Sequence, residues 1–401
     1  MPSTRAIRTV GAAERRARLA TRHRLVPPRR SASVVEVARD LVALHATDPA
    51  TVHLAAAARL RAPRVAAVER ALYDDRDLIR ILGMRRTMLV IPVEVAPVLQ
   101  AACTDAIAEV ERRRLVTHVE QGGVADDGDA WLQRVGDATV AALERRGEAL
   151  ATELSSDVPE LETPLRVGEG TRRAATERLS NRVLSVLAAE ELIVRGRPRG
   201  SWTSTRYRWS PRSRWLPDDP AIAAPPTADA QADLARRWLA AFGPGTLADL
   251  QWWAGWTVSE TRAALAAVDA VTVDLDGAPG FVLPDDVDPV PLPEPAVALL
   301  PALDPTAMGW KERDWYLGGH RGQLFDRSGN IGPSIWWDGR IVGGWAQRRD
   351  GEVVTRLFED VGAETAGAVA SEAHSLTTWL GPARVTPRFR TPLERELVGG
   401  P

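Results

Sequence analysis

The sequence predicts an α+β fold, mainly α, in which one helix-rich unit occurs three times ahead of a β-rich C-terminal domain. Two observations carry this reading. Groups of apolar residues at helical spacing, followed by two short alternating strands, recur three times along the 401 residues. Tryptophan is unevenly spread: Trp131 is the only one before residue 200 and thirteen follow, so the later chain is built on larger aromatic anchors.

The third copy is the clearest. Leu234 to Phe242 predicts an amphipathic helix, and Gly243, Pro244 and Gly245 break it. Thr246 caps a short helix through Leu250 and Trp253, and Thr257 caps another through Leu265 and Val268. Val271, Val273 and Leu275 then alternate with polar residues before a turn at Asp276, Gly277 and a strand at Phe281 to Leu283. Three helices and a hairpin make a winged helix. The second copy repeats the spacing: Gly147 to Leu154 mirrors Gly243 to Leu250, with Glu153 and Asp249 each just before the leucine. Ala175 to Leu187 supplies its third helix, and Leu192 to Val194 with Trp202 to Trp209 its wing. The first copy places helices at 34–46, 51–60 and 64–73 and strands at Leu78 to Leu82 and Thr87 to Ile91. Val93 to Val119 and Asp129 to Glu144 read as long connecting helices. Beyond residue 285, Ala296 to Leu300, Ser334 to Trp337, Ile341 to Gln347 and Val353 to Phe358 read as strands, and Ala366 to Leu380 as a helix. Asp338, Gly339 is a preferred two-residue hairpin turn. Identity between the copies is minimal, so what recurs is an architecture. Pro225 and Pro226, in the run Ala221 to Thr227, mark the clearest linker. The expected divisions are 1–92 (N-terminal helices and first winged helix), 93–126 (connecting helix), 127–220 (second winged helix with a basic hairpin), 221–285 (third winged helix) and 286–401 (β-rich domain).

Composition narrows the function classes. No run approaches the roughly 18 consecutive apolar residues that span a bilayer, and the Arg-studded N-terminus lacks a secretory apolar segment. The chain is therefore expected to be cytoplasmic, without a membrane partner. The single cysteine, Cys103, rules out an internal disulfide and any multi-cysteine metal site; no metal or cofactor is expected. The net charge of −2 hides an asymmetry, since residues 1 to 100 hold 18 Arg against 9 Asp or Glu. A basic first quarter suits phosphate. Lys311 is the only lysine, so arginine abundance itself reflects coding bias, but the local imbalance does not.

Several segments are candidates for chemistry, each with a plain structural alternative. In Leu44, His45, Ala46, Thr47, Asp48, Pro49, His45 and Thr47 fall at the end of the first predicted helix. Asp48 and Pro49 suit the N-cap and first turn of the next, which accounts for them without chemistry. Arg195, Arg197 and Arg199, with Arg206, Arg208, Trp202 and Tyr207, form a Gly-flanked basic hairpin. It either lies along phosphates and enters a groove or is a solvated wing with its aromatic rings folded onto the core. Arg85 and Arg86 on the first hairpin are a weaker case of the same kind. Arg112, Arg113 and Arg114 read as a solvated helix face, His53 as a core histidine and Trp252, Trp253 and Trp256 as packing. His320 with Arg321, near Asp314, reads equally as a site or a loop. No phosphate-cradling Gly-Lys loop, dinucleotide fingerprint or HExxH pair is present.

The helix ending at Leu44 to Pro49, the Gly243 to Trp256 run, Leu300 to Asp304, and Trp337, Asp338, Gly339, Arg340 before Gly343 together resemble the winged-helix DNA-binding family that includes the AlkZ/YcaQ-type DNA glycosylases. The resemblance runs over residues 8 to 385. It implies tandem winged helices with a C-terminal β domain, duplex DNA, alkylated or crosslinked, as partner, and cleavage of the glycosidic bond of N7-alkylated purines. The family motif, Gln, an apolar residue, then Gln or Asp ahead of Asp-Pro, falls here on His45 and Thr47, both of which differ from it. At those positions neutral His45 can act as general base on a water, with Thr47 orienting that water and Asp48 either steadying the pair or favouring positive charge on the sugar. Phosphates nearby favour the imidazolium, so this role needs surroundings that keep the ring neutral. A monomeric, nucleoid-associated glycosylase is one expectation; a non-catalytic winged-helix regulator or lesion sensor is the other.

Overall fold

Ser33 opens the first unit by accepting the Glu36 N–H, and helix Val34–Asp40 follows. We describe residues 7–167, 175–216 and 224–399 of a computed structural model. The helix expected to run through residue 46 ends at Asp40. Val42 takes a left-handed φ of 62°, and Leu44–His45 becomes a short strand whose partners are Val90 and Leu89. Pairing prevails because it satisfies the backbone while Leu44 is wholly buried. Helix Pro49–Ala57 comes next, then Val65–Glu69 running into a π-turn at Arg70–Asp74, and the hairpin Leu78–Gly83 and Thr87–Pro92. The short strand lies on the outer side of Thr87–Pro92.

The same order of elements returns twice. In the second unit helix Gly128–Arg146 leads to strand Ala149–Leu150, helices Ala151–Asp157 and Leu179–Ala189, and strands Ile193–Pro198 and Tyr207–Pro211. Ala149–Leu150 again flanks the second hairpin strand. Residues 175–178, expected to begin the third helix, instead form a strand paired with Pro164–Val167. The helix starts only at Leu179, where the continuous apolar face begins with Leu179, Val183, Leu184 and Leu187. In the third unit, helices Thr227–Phe242, Leu247–Ala254 and Val258–Ala267 precede strands Val271–Leu275 and Ala278–Val282, and Gly245 bridges to Phe281. Thr246 with Asp249 and Thr257 with Glu260 close reciprocal capping boxes. Asp276 and Gly277 both have positive φ, 51° and 94°, which the tight turn between right-twisted strands requires. The linker expected over 221–227 lies partly outside the described residues.

In the C-terminal region, strands Val297–Leu300, Ser334–Trp337, Arg340–Gln347 and Val353–Leu357 form an antiparallel sheet in chain order, backed by helices Ala363–Leu380 and Pro392–Val398. Between its first two strands the chain makes three short helices, Pro305–Met308, Asp314–Leu317 and Arg321–Leu324, where the sequence carries no periodic signal. One apolar cluster joins Val37 and Leu44 of the first unit to Leu234 and Trp238 of the third and to Leu300, Trp310 and Trp336. The second unit keeps a core of its own around Trp131, Leu143 and Leu184. The first and third units thus fuse onto the C-terminal region, and the seam between them holds the candidate site. No helix among the described residues is long and apolar enough to cross a membrane.

Candidate active site at a cationic cleft

Asp48 fixes the turn after the Leu44–His45 strand. Its Oδ1 accepts the Ala50 N–H at 3.1 Å, capping helix Pro49–Ala57, and its Oδ2 accepts the Arg388 N–H at 3.0 Å. Both oxygens of this buried carboxylate accept backbone N–H groups, so Asp48 holds the segment, and it lies outside the lining of the cleft that His45 faces. Arg388 also donates to the Thr47 carbonyl at 3.4 Å. The turn is thereby held from within the unit and from the far end of the chain.

His45, partly buried, faces a cavity of about 460 Å³ shared with Arg85, Thr87, Trp252, Met308, Lys311, Arg313, Arg321, Ser328, Gly329 and Asn330. Four of these are cations and none is a carboxylate. Burial, helped by Arg85, pushes the His45 imidazole down to about 3, so the ring is neutral at neutral pH. The Thr47 N–H donates to Nδ1 at 3.5 Å. That long contact favours, weakly, the tautomer with its proton on Nε2. Thr47 itself lies outside the cavity lining, and among the described residues its hydroxyl has no hydrogen-bond partner. The threonine hydroxyl that shares the cleft with His45 belongs to Thr87.

Three parts of the fold meet here. Arg85 sits in the first hairpin turn at a φ of 56°, with its guanidinium 3.7 Å from the centre of the Trp252 ring. Burial, then Arg313, pushes Arg85 down to about 10. Trp252 comes from helix Leu247–Ala254; Trp253 and Trp256 pack in the core as expected, while Trp252 turns toward the cleft. Arg313 is also near Trp252, at 4.8 Å, and is held by the Trp310 carbonyl at 2.8 Å. Buried Asp249 places the following loop, since its Oδ1 accepts the N–H groups of Lys311 and Glu312 at 2.9 and 2.8 Å. Arg85, Lys311, Arg313 and Arg321 have no carboxylate partner among the described residues. Cations gathered around one cavity repel one another, and an anion between them relieves that repulsion; DNA phosphates are such anions.

The basic hairpin of the second unit divides into groups. Arg195 is stacked over Trp209 at 4.7 Å and donates to the Met88 sulfur at 3.2 Å. Arg197 pairs with Asp74 at 2.7 Å, and Arg208 with Glu148 at 3.5 Å. Arg86 pairs with Glu111 at 2.8 Å. Tyr207 accepts a hydrogen bond from Arg80, and Trp202 packs on His53 and Trp379. Most of this hairpin therefore docks on the first unit and the C-terminal helix, where its aromatic rings bury apolar area. Arg199 and Arg206, joined through their backbones at 2.8 Å, remain exposed and without a carboxylate partner among the described residues. His320 stacks on Phe358 with ring centres 4.3 Å apart, outside the cleft lining, while its neighbour Arg321 enters it.

A sequence model of the family described as DNA glycosylase AlkZ-like matches residues 38–379. Among solved structures, the Streptomyces sahachiroi DNA glycosylase AlkZ has the same fold, with a TM-score of 0.69 over 94% of this chain and 98% of that one at 20% identity. No curated protein sequence matches the chain. The family match takes in every residue that lines the cleft, from His45 to Asn330, and with most of the chain inside it the protein belongs to the AlkZ-like DNA glycosylase family.

Proposed function

We propose that this protein hydrolyses the N-glycosidic bond of N7-alkylated purines in duplex DNA, acting as a monomer on the chromosome in the cytoplasm, with its three repeated units serving as winged helices that hold the duplex. The observation that carries the reading is the imidazole of His45 facing a cleft lined by four cations that have no carboxylate partner among the described residues, with burial favouring its neutral form. The cations suit the phosphates that flank a target nucleotide. Alkylation at N7 makes the base a cationic leaving group, so hydrolysis needs little beyond a water held behind the sugar. His45 supplies that hold. With Nδ1 facing the Thr47 N–H, the Nε2–H donates to the water oxygen and Thr87 offers a second contact. This favours positioning over proton abstraction, since a general base at Nε2 requires the opposite tautomer. Thr47 and Asp48 act through the backbone turn that aims the ring. Losing a positioning group of this kind costs on the order of 10²-fold in rate.

The test is release of N7-methylguanine from methylated duplex DNA by the wild-type protein and by His45→Ala. Release that falls with the substitution supports the reading. No released base above the buffer control, with tight DNA binding retained, overturns it in favour of a binding protein.

A further inference from the structure

Lys311 is the only lysine in a chain with 51 Lys and Arg residues, and it sits in the cleft beside His45. Three arginines share that cleft, so positive charge there is already supplied by the residue this chain uses everywhere else. What a lysine adds is a primary amine, which condenses with carbonyl compounds; a guanidinium stays protonated and does not. The placement is built. Asp249, wholly buried, accepts the Lys311 and Glu312 N–H groups through Oδ1 while its Oδ2 accepts the Thr246 N–H at 3.0 Å. Before Lys311, the buried Trp310 donates to the Phe242 carbonyl at 3.1 Å. The backbone is thus pinned on both sides of an exposed side chain that reaches into the cleft.

We propose that Lys311 gives the protein a second activity, cleavage of the DNA strand at an abasic site through an imine. The inference rests on the glycosylase reading, because loss of a base leaves a deoxyribose whose open-chain form carries an aldehyde at C1′. The Lys311 ammonium gives up a proton to water, the free amine adds to the aldehyde carbon, and the resulting carbinolamine takes the proton back and loses one water to give a protonated imine. The C2′ proton passes to water, its electron pair forming an enamine. The enamine then expels the 3′ phosphate oxygen, breaking the C3′–O bond and regenerating a protonated, unsaturated imine. Water hydrolyses this imine, returning the lysine and leaving an unsaturated aldehyde on one fragment and a 5′ phosphate on the other. No oxidant or reductant is consumed.

The experiment uses duplex DNA with a single pre-formed abasic site, so it does not depend on base excision. The full-length protein is incubated with it in the presence and absence of sodium borohydride. The expected result is a borohydride-trapped protein–DNA adduct that peptide mapping places on Lys311, together with strand cleavage when borohydride is omitted. In Lys311→Arg both are lost, with thermal unfolding and DNA affinity measured on the same sample to show a folded, binding protein. No adduct with the wild-type protein overturns the proposal, as does an adduct that persists in Lys311→Arg and so belongs to the N-terminal amine. Base release from alkylated DNA without trapping refutes the lyase step and leaves the glycosylase reading standing; trapping without base release does the reverse.

Discussion

The Arg59 guanidinium and the Asp304 carboxylate form a two-pronged pair at 2.6 and 2.9 Å with neither side chain exposed. The remaining arginine donors go to the His23 carbonyl, the Ala55 carbonyl and the Thr306 hydroxyl, and Asp304 Oδ1 also accepts the Thr306 N–H. This network ties helix Pro49–Ala57 to the segment that leads into the Lys311 loop. Removing one partner leaves a buried unpaired charge, so Asp304→Ala is expected to cost roughly 3–5 kcal/mol in urea unfolding. Replacing both residues together with apolar ones recovers part of the loss. Equal stability of wild type and Asp304→Ala would show that the pair does not hold the junction.

His45 is expected to be replaceable by an amide but not by a methyl group. If it holds a water by donation, His45→Gln keeps a donor at the same place, and it is the residue the family motif carries there. Base release by His45→Gln should then stay within about tenfold of wild type while His45→Ala drops by on the order of 10²-fold. A general base predicts equal losses, since an amide takes no proton. Single-turnover release of N7-methylguanine separates the two.

Local chemistry was legible in the sequence and the cleft was not. Thr246 with Asp249, Thr257, Asp48 and the turns at Asp276, Gly277 and Asp338, Gly339 act over three or four residues, and each occurs as its residue types dictate. Proximity in sequence places Thr47 with His45, yet the strand ends at His45 and Thr47 falls in the bend before the Asp48 cap, outside the cleft lining. Trp252 reads as packing by its neighbours, because Trp253 and Trp256 are; only the third-unit fold shows it lies off the buried face. Lys311, Arg313 and Arg321 come from short helices and loops without periodicity, and reach the cleft through contacts with residues far away in the chain. Two signals were available: a solitary lysine among arginines, and Arg321 beside His320, which the sequence leaves open as a site or a loop.

Arg199 and Arg206 should account for the salt dependence of DNA binding by the hairpin, and Arg86 and Arg197 should not. The first pair is exposed without carboxylates, while Arg86 and Arg197 are already matched by Glu111 and Asp74. If both free arginines meet phosphates, Arg199→Ala with Arg206→Ala lowers the slope of log affinity against log salt by about 2. The Arg86→Ala, Arg197→Ala protein should change it little. Fluorescence anisotropy across a salt series decides, and equal slopes for the two double variants would remove the hairpin tip from the interface.

Acid sensitivity should come from three histidines. Burial pushes His23, His45 and His53 each down to about 3, with Arg59 adding to the effect at His23, Arg85 adding to it at His45 and the Pro49 carbonyl opposing it at His53. In the unfolded chain all three titrate near 6.5. As pH falls through that value the unfolded chain takes up protons that the folded chain refuses, so stability is full above it and declines below. Each histidine contributes about 1.4 kcal/mol per pH unit once the unfolded form is protonated, or roughly 4 kcal/mol per unit for the three. Urea midpoints should therefore be level from pH 8 to 7 and drop between pH 6 and 5, above the range where the carboxylates titrate. His53 Nε2 is buried without a partner among the described residues and its ring lies against Trp202, so His53→Phe keeps the aromatic contact and removes the titrating group. That variant should show about two-thirds of the wild-type slope; an undiminished slope would mean that His53 is not one of the groups resisting protonation.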